Sequence, residues 1–203
     1  MTDPMAPLRD FVGAMTTLVS GTSDERGLLA QGRHHLAQLI AHDTWLPAAF
    51  AVARGDRYAQ YLLHCDPLER FSVVSFVWGP GHTTPVHDHM VWGLVGVLRG
   101  AEACDEYTLR DGRPVATGQR HLMNPGAIEA VSPTLGDWHR VSHAWDERVT
   151  VSIHVYGANI GAVRRHRIDD TGAVRDFVSG YDNATLPNLW DRPAGARRGS
   201  GIC

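Results

Sequence analysis

The apolar residues change period near Asp56, and that change constrains the fold more than any other feature of the chain. Before it, they recur at helical spacing. Leu8, Phe11, Val12, Met15 and Leu18 mark one helix, which Gly21 punctuates. Leu28, Leu29, His35, Leu36, Leu39 and Ile40 form one broad stripe of a second, from Asp24 to about His42. His34 and His35 sit inside it, where packing or solvent exposure explains both. Residues 46–53 read as a third, short helix, with Pro47 suited to its N-terminal turn. After Asp56 come short runs rich in β-branched and aromatic residues, at 58–64, 71–78, 91–98, 103–109, 127–132 and 149–156. Gly, Pro, Asp or Asn separates them, and Asp111-Gly112 is a strong hairpin signal. Short strands behind a helical layer argue for a sandwich or barrel. The expected organisation is one domain, with a helical layer over 1–56, a barrel core over 57–160 and a wrapping segment over 161–203. The stretch after Tyr181 is rich in Asn, Pro and Gly and is expected to run irregularly over the surface.

Composition narrows the function classes. A net charge of −3 leaves no electrostatic footprint for nucleic acid. Arg164, Arg165 and Arg167 cluster around His166, a pattern that fits a solvated face or a site for one anion. No apolar run is long enough to span a bilayer, and the start Met1-Thr-Asp-Pro has no cationic stretch of the kind that opens a secretory signal. The 3 cysteines, Cys65, Cys104 and Cys203, lie far apart with no C-x-x-C, which fits a reducing cytoplasm. Cys65 and Cys104 read as packing residues and Cys203 as a mobile terminal thiol. The unusual counts are 12 histidines and 6 tryptophans, many of them between residues 78 and 166.

Those histidines cluster. In Gly81-His82-Thr83-Thr84-Pro85-Val86-His87-Asp88-His89, a segment read as β after a turn, His87 and His89 share one face because strand side chains alternate. Two convergent imidazoles make most of a divalent metal site. A second cluster, Asp137-Trp138-His139-Arg140-Val141-Ser142-His143, offers His139 or His143 as a third. No glutamate follows the first pair at the spacing a further ligand needs, so the expected set is three neutral imidazoles. Such ligands suit iron, zinc, copper or nickel, and three protein ligands leave positions open for catalysis. Further on, Ser152, His154 and Tyr156 share one face of a strand, with Val151, Ile153 and Val155 on the other. That polar row can form a hydrogen-bonded chain. It lacks the carboxylate and oxyanion motif of a serine hydrolase.

Taken together these residues resemble a known family. Gly81, His87, His89 and Gly100 match the first cupin motif. The run from Phe76 to His89 is similar to the thiol dioxygenase branch of the cupins, which includes cysteine dioxygenase and bacterial 3-mercaptopropionate dioxygenase. The likeness continues through His139-Arg-Val and Ser152-x-His154-x-Tyr156 to the stretch from Ser179 to Trp190. It implies a mainly β fold, a cupin-type barrel (jelly roll) with an N-terminal layer of helices.

The resemblance implies Fe(2+) held by His87, His89 and His139, with Ser152, His154 and Tyr156 as the catalytic chain beside it. Two departures from the mammalian cysteine dioxygenase pattern carry weight. Gly93 stands where that pattern has the cysteine crosslinked to tyrosine, so no thioether forms there. Gln60 stands where it has the carboxylate-gripping arginine, and Arg165, nine residues after Tyr156, matches the arginine that takes over in the mercaptopropionate enzymes. His143 occupies a place where asparagine is usual. The implied reaction joins O2 to a small carboxylate-bearing thiol to give a sulfinic acid, with 3-mercaptopropionate favoured over cysteine. A non-catalytic cupin sensor and a zinc or nickel isomerase or hydrolase are the readings from other classes.

Overall fold

The computed structural model describes residues 3–22, 24–145 and 147–190. Cys203 lies outside them. Helix α1 spans Ala6–Gly21 and α2 spans Glu25–Ile40. Leu8, Phe11, Val12, Met15 and Leu18 of α1 are buried, as their spacing demands. The Asp24 carboxylate caps α2 by accepting from the Gly27 amide at 2.9 Å. The expected third helix is only a 3-10 turn, Ala48–Phe50, and Pro47 precedes it in extended conformation. Its carbonyls are taken by strands: the Ser75 hydroxyl donates to Phe50 O and the Tyr61 hydroxyl to Val52 O, both at 2.8 Å. Pro47, at ψ 140, lies outside the helical region, so no helix can start before Ala48.

Ten strands follow: β1 Ala59–Cys65, β2 Ser72–Trp78, β3 Gly93–Arg99, β4 Glu102–Arg110, β5 Arg113–Met123, β6 Ile128–Val131, β7 His139–His143, β8 Thr150–Tyr156, β9 Arg165–Ile168 and β10 Val174–Phe177. All pairings are antiparallel. One sheet runs β1-β2-β8-β3-β6, a second runs β5-β4-β7, and β9 with β10 forms a hairpin. These are the sheets of a jelly roll that does not close into a continuous barrel. Asp111 and Gly112, both at positive φ, turn β4 into β5, as their sequence predicts. Four strands have no counterpart among the expected runs: β5, β7, β9 and β10. Gly100, at φ 79, turns β3 into β4 with Thr150 packed where a Cβ would stand, so no other residue fits there.

The helices cover the outer face of the five-stranded sheet. Val73, Val77, Leu94, Val151, Ile153 and Val155 face them and join one apolar core with Leu8, Met15 and Leu36. The alternate residues Val74, Phe76, Trp78 and Tyr156 face inward. Both faces of β2 and β8 are therefore buried; β2 is accordingly apolar on both sides apart from two serines, while β8 keeps a polar row on its inward face. Residues 181–188 contain neither helix nor strand and lie against β1, an edge strand. The Asp182 carboxylate accepts from Gln60 N at 2.7 Å, and Asp182 N donates to Gln60 O at 2.8 Å. Asn183 exchanges two 2.8 Å bonds with Leu62 in the same way. No helix among the described residues is long and apolar enough to cross a membrane.

Candidate metal centre

His87, His89 and His139 come together at the inner end of a cavity of about 160 Å3. Their ring centroids form a near-equilateral triangle with sides of 4.8 to 4.9 Å. One ring nitrogen of each lies within 4.8 Å of the others, and no carboxylate belongs to the group. His143, at the far end of β7, stands outside it. Four residues of strand carry it roughly 13 Å from His139, opposite Glu102 in the register.

The convergence has a different cause from the strand alternation expected of His87 and His89. That segment is no strand: His87 makes only isolated bridges, to His139 and Arg167. Pro85 supplies no amide, and carboxylates from elsewhere take up the backbone donors. Asp137 accepts from His89 N at 2.9 Å and Met90 N at 2.8 Å, which supports Met90 at φ 61. Asp88 accepts from His166 N at 2.7 Å, and Asp88 N donates to His166 O. His87 and His139 exchange both backbone hydrogen bonds at 3.0 Å. The segment is thus stapled to β7 on one side and β9 on the other.

Each imidazole is held by its Nδ1. That of His87 donates to Pro85 O at 3.0 Å, and that of His89 meets Asp137 Oδ1 at 2.7 Å. That of His139 lies 3.5 Å from Cys104 Sγ. Nε2 is left as the nitrogen available to an ion. Burial holds His87 and His139 well below the usual imidazole range, so both rings are neutral. Burial works to raise the Asp137 carboxyl, but its bonds with His89 keep it below the usual range. Neutral, oriented nitrogen donors without a carboxylate fit a borderline divalent cation such as iron or zinc.

His154 and Tyr156 of the polar row of β8 line the same cavity, with Ser152 behind them. Ser152 Oγ lies 2.8 Å from His154 Nε2, and His154 Nδ1 lies 2.8 Å from the Tyr156 hydroxyl. His154 stacks on Phe76 at 4.1 Å and Tyr156 on His89 at 5.3 Å. Burial pushes His154 down and Tyr156 up, so both are neutral. Gly93 pairs with Tyr156 in the register. A Cβ on Gly93 would stand 2.8 Å from the tyrosine ring, so glycine sets the space the phenol occupies.

At the outer end lies Arg165, 3% exposed. Its guanidinium stacks 4.7 Å over Phe177 and donates to Ser179 Oγ at 2.6 Å. Nε has no partner. Gln60 Nε2 donates to Ser179 Oγ and Gly180 O. Arg167 also borders the cavity, whereas Arg164 points to solvent beside Asp176.

Three residues that sequence reasoning missed organise the site: Asp137, Asp88 and Glu102. Glu102 is fully buried on β4 with its carboxyl facing Ser152 and Trp78, yet neither oxygen closes a hydrogen bond. Burial pushes that carboxyl up to about 7. An acid just before Trp138-His139 was a visible signal for Asp137. Nothing local marks the other two.

No family model matches the chain. Several similar solved structures are described as cupin or double-stranded β-helix proteins. A Klebsiella pneumoniae protein with a double-stranded β-helix domain is 14% identical over 55% of this chain and 82% of its own, with TM-score 0.45. A cupin superfamily protein from Desulfitobacterium hafniense is 15% identical over 58% of this chain and 94% of its own, with TM-score 0.42. An oxalate oxidase bound to the substrate analogue glycolate is 15% identical over 59% of this chain and 60% of its own, with TM-score 0.44. These are likenesses of fold over part of the chain. The fold itself rests on the sheets described above.

Proposed function

We propose that this protein is a non-haem Fe(2+) thiol dioxygenase, acting on a small thiol that carries a carboxylate, with 3-mercaptopropionate favoured over cysteine. One observation carries the reading: a single small cavity is lined by three convergent imidazoles, two of them kept neutral by burial, and by a buried arginine. A cavity of about 160 Å3 is below the ~300–1,000 Å3 of drug-sized sites, which suits a substrate of a few heavy atoms. His87, His89 and His139 would hold the ion, which when bound supplies a Lewis-acidic centre for a thiolate and dioxygen. Arg165 is fixed by Phe177 and Ser179 and would pair with the carboxylate, its unpartnered Nε adding a donor. The Tyr156 hydroxyl, oriented by His154 and Ser152, would donate toward the reacting sulfur or oxygen. Gln60 holds Ser179 and so shapes the anchor. Both oxygen atoms end on sulfur and the thiol proton is released, giving the sulfinate.

The test is oxygen uptake by iron-loaded protein with 3-mercaptopropionate, cysteine and cysteamine, followed by product mass. The expected result is sulfinate from the carboxylate-bearing thiols, with 3-mercaptopropionate best. Sulfinate chiefly from cysteine would make the chain a cysteine dioxygenase. If cysteamine is the best substrate, the specificity reading fails. If none consumes oxygen while the ion stays bound, the chain is a binding cupin or a metal-dependent isomerase or hydrolase.

A further inference from the structure

Behind His139, on the side away from the cavity, three more ligand-type side chains meet. Cys104 on β4 and His121 on β5 are directly opposite in the register, which puts their side chains on one face about 5 Å apart at Cβ. Glu129 reaches them from β6. One ligand atom of each lies within 4.8 Å of the others. Glu106, two residues beyond Cys104 on the same face of β4, has Oε1 3.0 Å from His121 Nε2, and Glu129 Oε1 is 3.9 Å from that nitrogen. A tetrahedral ion with bonds near 2.1 Å separates its nitrogen and oxygen donors by about 3.4 Å, between those two values.

The four side chains line a cavity of about 290 Å3. Access is not an obstacle, since the His121 and Glu129 side chains are 38% and 33% exposed while Cys104 forms the buried floor. The donor types are informative as well. A thiol, an imidazole and carboxylates are the mixed set that favours zinc over magnesium or calcium, whose sites are all oxygen. The cluster also sits at the seam of the fold. Cys104 and His121 belong to the three-stranded sheet and Glu129 to the edge of the five-stranded one, which is where the jelly roll stays open.

We propose that Cys104, His121 and Glu129 form a second metal site for one zinc-type divalent cation, with Glu106 in reach as a fourth donor. The ion enters as the Cys104 thiol releases its proton to solvent and the sulfur takes the place at the metal. His121 exchanges its contact with Glu106 for the ion. Bound there, the ion ties the two sheets across their seam. The two centres adjoin, because the Cys104 sulfur lies 3.5 Å from His139 Nδ1.

The experiment counts zinc on metal-free protein after dialysis and follows Co(2+) binding by absorbance. The unmodified chain should retain two equivalents, and Co(2+) should give a thiolate-to-metal charge-transfer band. His121→Ala and Cys104→Ser should each retain one equivalent, the latter without the band. His87→Ala combined with His89→Ala should also retain one, with the band intact. That last variant separates this site from the three-histidine centre. If it retains both equivalents, the first centre fails while the second stands. Should Cys104→Ser not fold, His121→Ala decides, because its side chain is partly exposed. One equivalent in the unmodified chain with no thiolate band, or two in His121→Ala, would overturn the proposal.

Discussion

The two ends of the cavity are built differently. At the inner end, every imidazole is fixed by a partner on its Nδ1, and the segment carrying two of them is tied to strands on both sides. At the outer end, a buried arginine leans on one ring and one serine, both from the last strands and the irregular stretch after them. The inner end resists displacement through several independent bonds. The outer end relies on one charge being seated. The reaction proposed above needs both, but they should fail in different ways.

The largest effect expected is at the inner end. His139→Ala should lose most bound iron and nearly all activity, whereas His143→Ala should keep its iron, as metal analysis after dialysis would reveal. Equal retention by both variants would break the assignment of the third ligand.

Arg165→Ala should come next. Loss of a desolvated carboxylate pair, about 2–5 kcal/mol, lowers kcat/KM about 30- to several-thousand-fold for 3-mercaptopropionate and cysteine. Cysteamine, without a carboxylate, should be hardly affected, and iron content should not change. Equal losses on all three thiols would mean that the outer end does not read the carboxylate.

Asp137→Asn probes the tie rather than the ligand. Removing such an outer partner of a ligating histidine weakens metal binding by about 10–100-fold. A binding curve matching the unmodified protein would show that His89 needs no such support.

The last effect is on stability, not on the site. Glu102 is buried among Ser152, Trp78 and its register partner His143, with Glu129 nearby. Its carboxyl is raised from 4.5 to about 7 in the folded chain. Between those values the unfolded chain has lost the proton and the folded chain has kept it, so stability falls as pH rises across that window and is flat above it. Glu102→Gln should remove up to about 3 kcal/mol of that fall. Denaturation curves at both limits would check it, and an unchanged slope would mean Glu102 ionises freely.

Legibility in the sequence follows the same division. The helices and strands β2, β3 and β8 were readable because each is buried along a stripe or on both faces, leaving helical spacing, apolar runs or, in β8, a strict alternation of apolar and polar residues. The strands β5 and β10 were not, since most of their residues face water and carry no alternation, and β9 is four residues with three basic side chains and a single aliphatic one. His87 and His89 were visible as a pair, but strand alternation does not hold them. The carboxylates that do lie 48 and 78 residues away from the groups they bind, beyond any local pattern. Arg165 stood out from its cluster only through the family resemblance. Its burial comes from Phe177 and Ser179, contacts that only the folded chain brings together.

The exchange of bonds between residues 182–183 and β1 has a consequence for assembly. An outermost strand normally offers its free amides and carbonyls to any passing chain. Here Asp182, through its carboxylate and its backbone amide, and the Asn183 side chain occupy those of Gln60 and Leu62, acting as a strand that cannot itself be extended. The same stretch supplies Ser179 to Arg165. A chain ending before Ser179 should therefore fail twice over: it would loosen the arginine proposed to hold a carboxylate, and it would present an open edge on which copies could add to one another, a self-association that light scattering would follow with concentration.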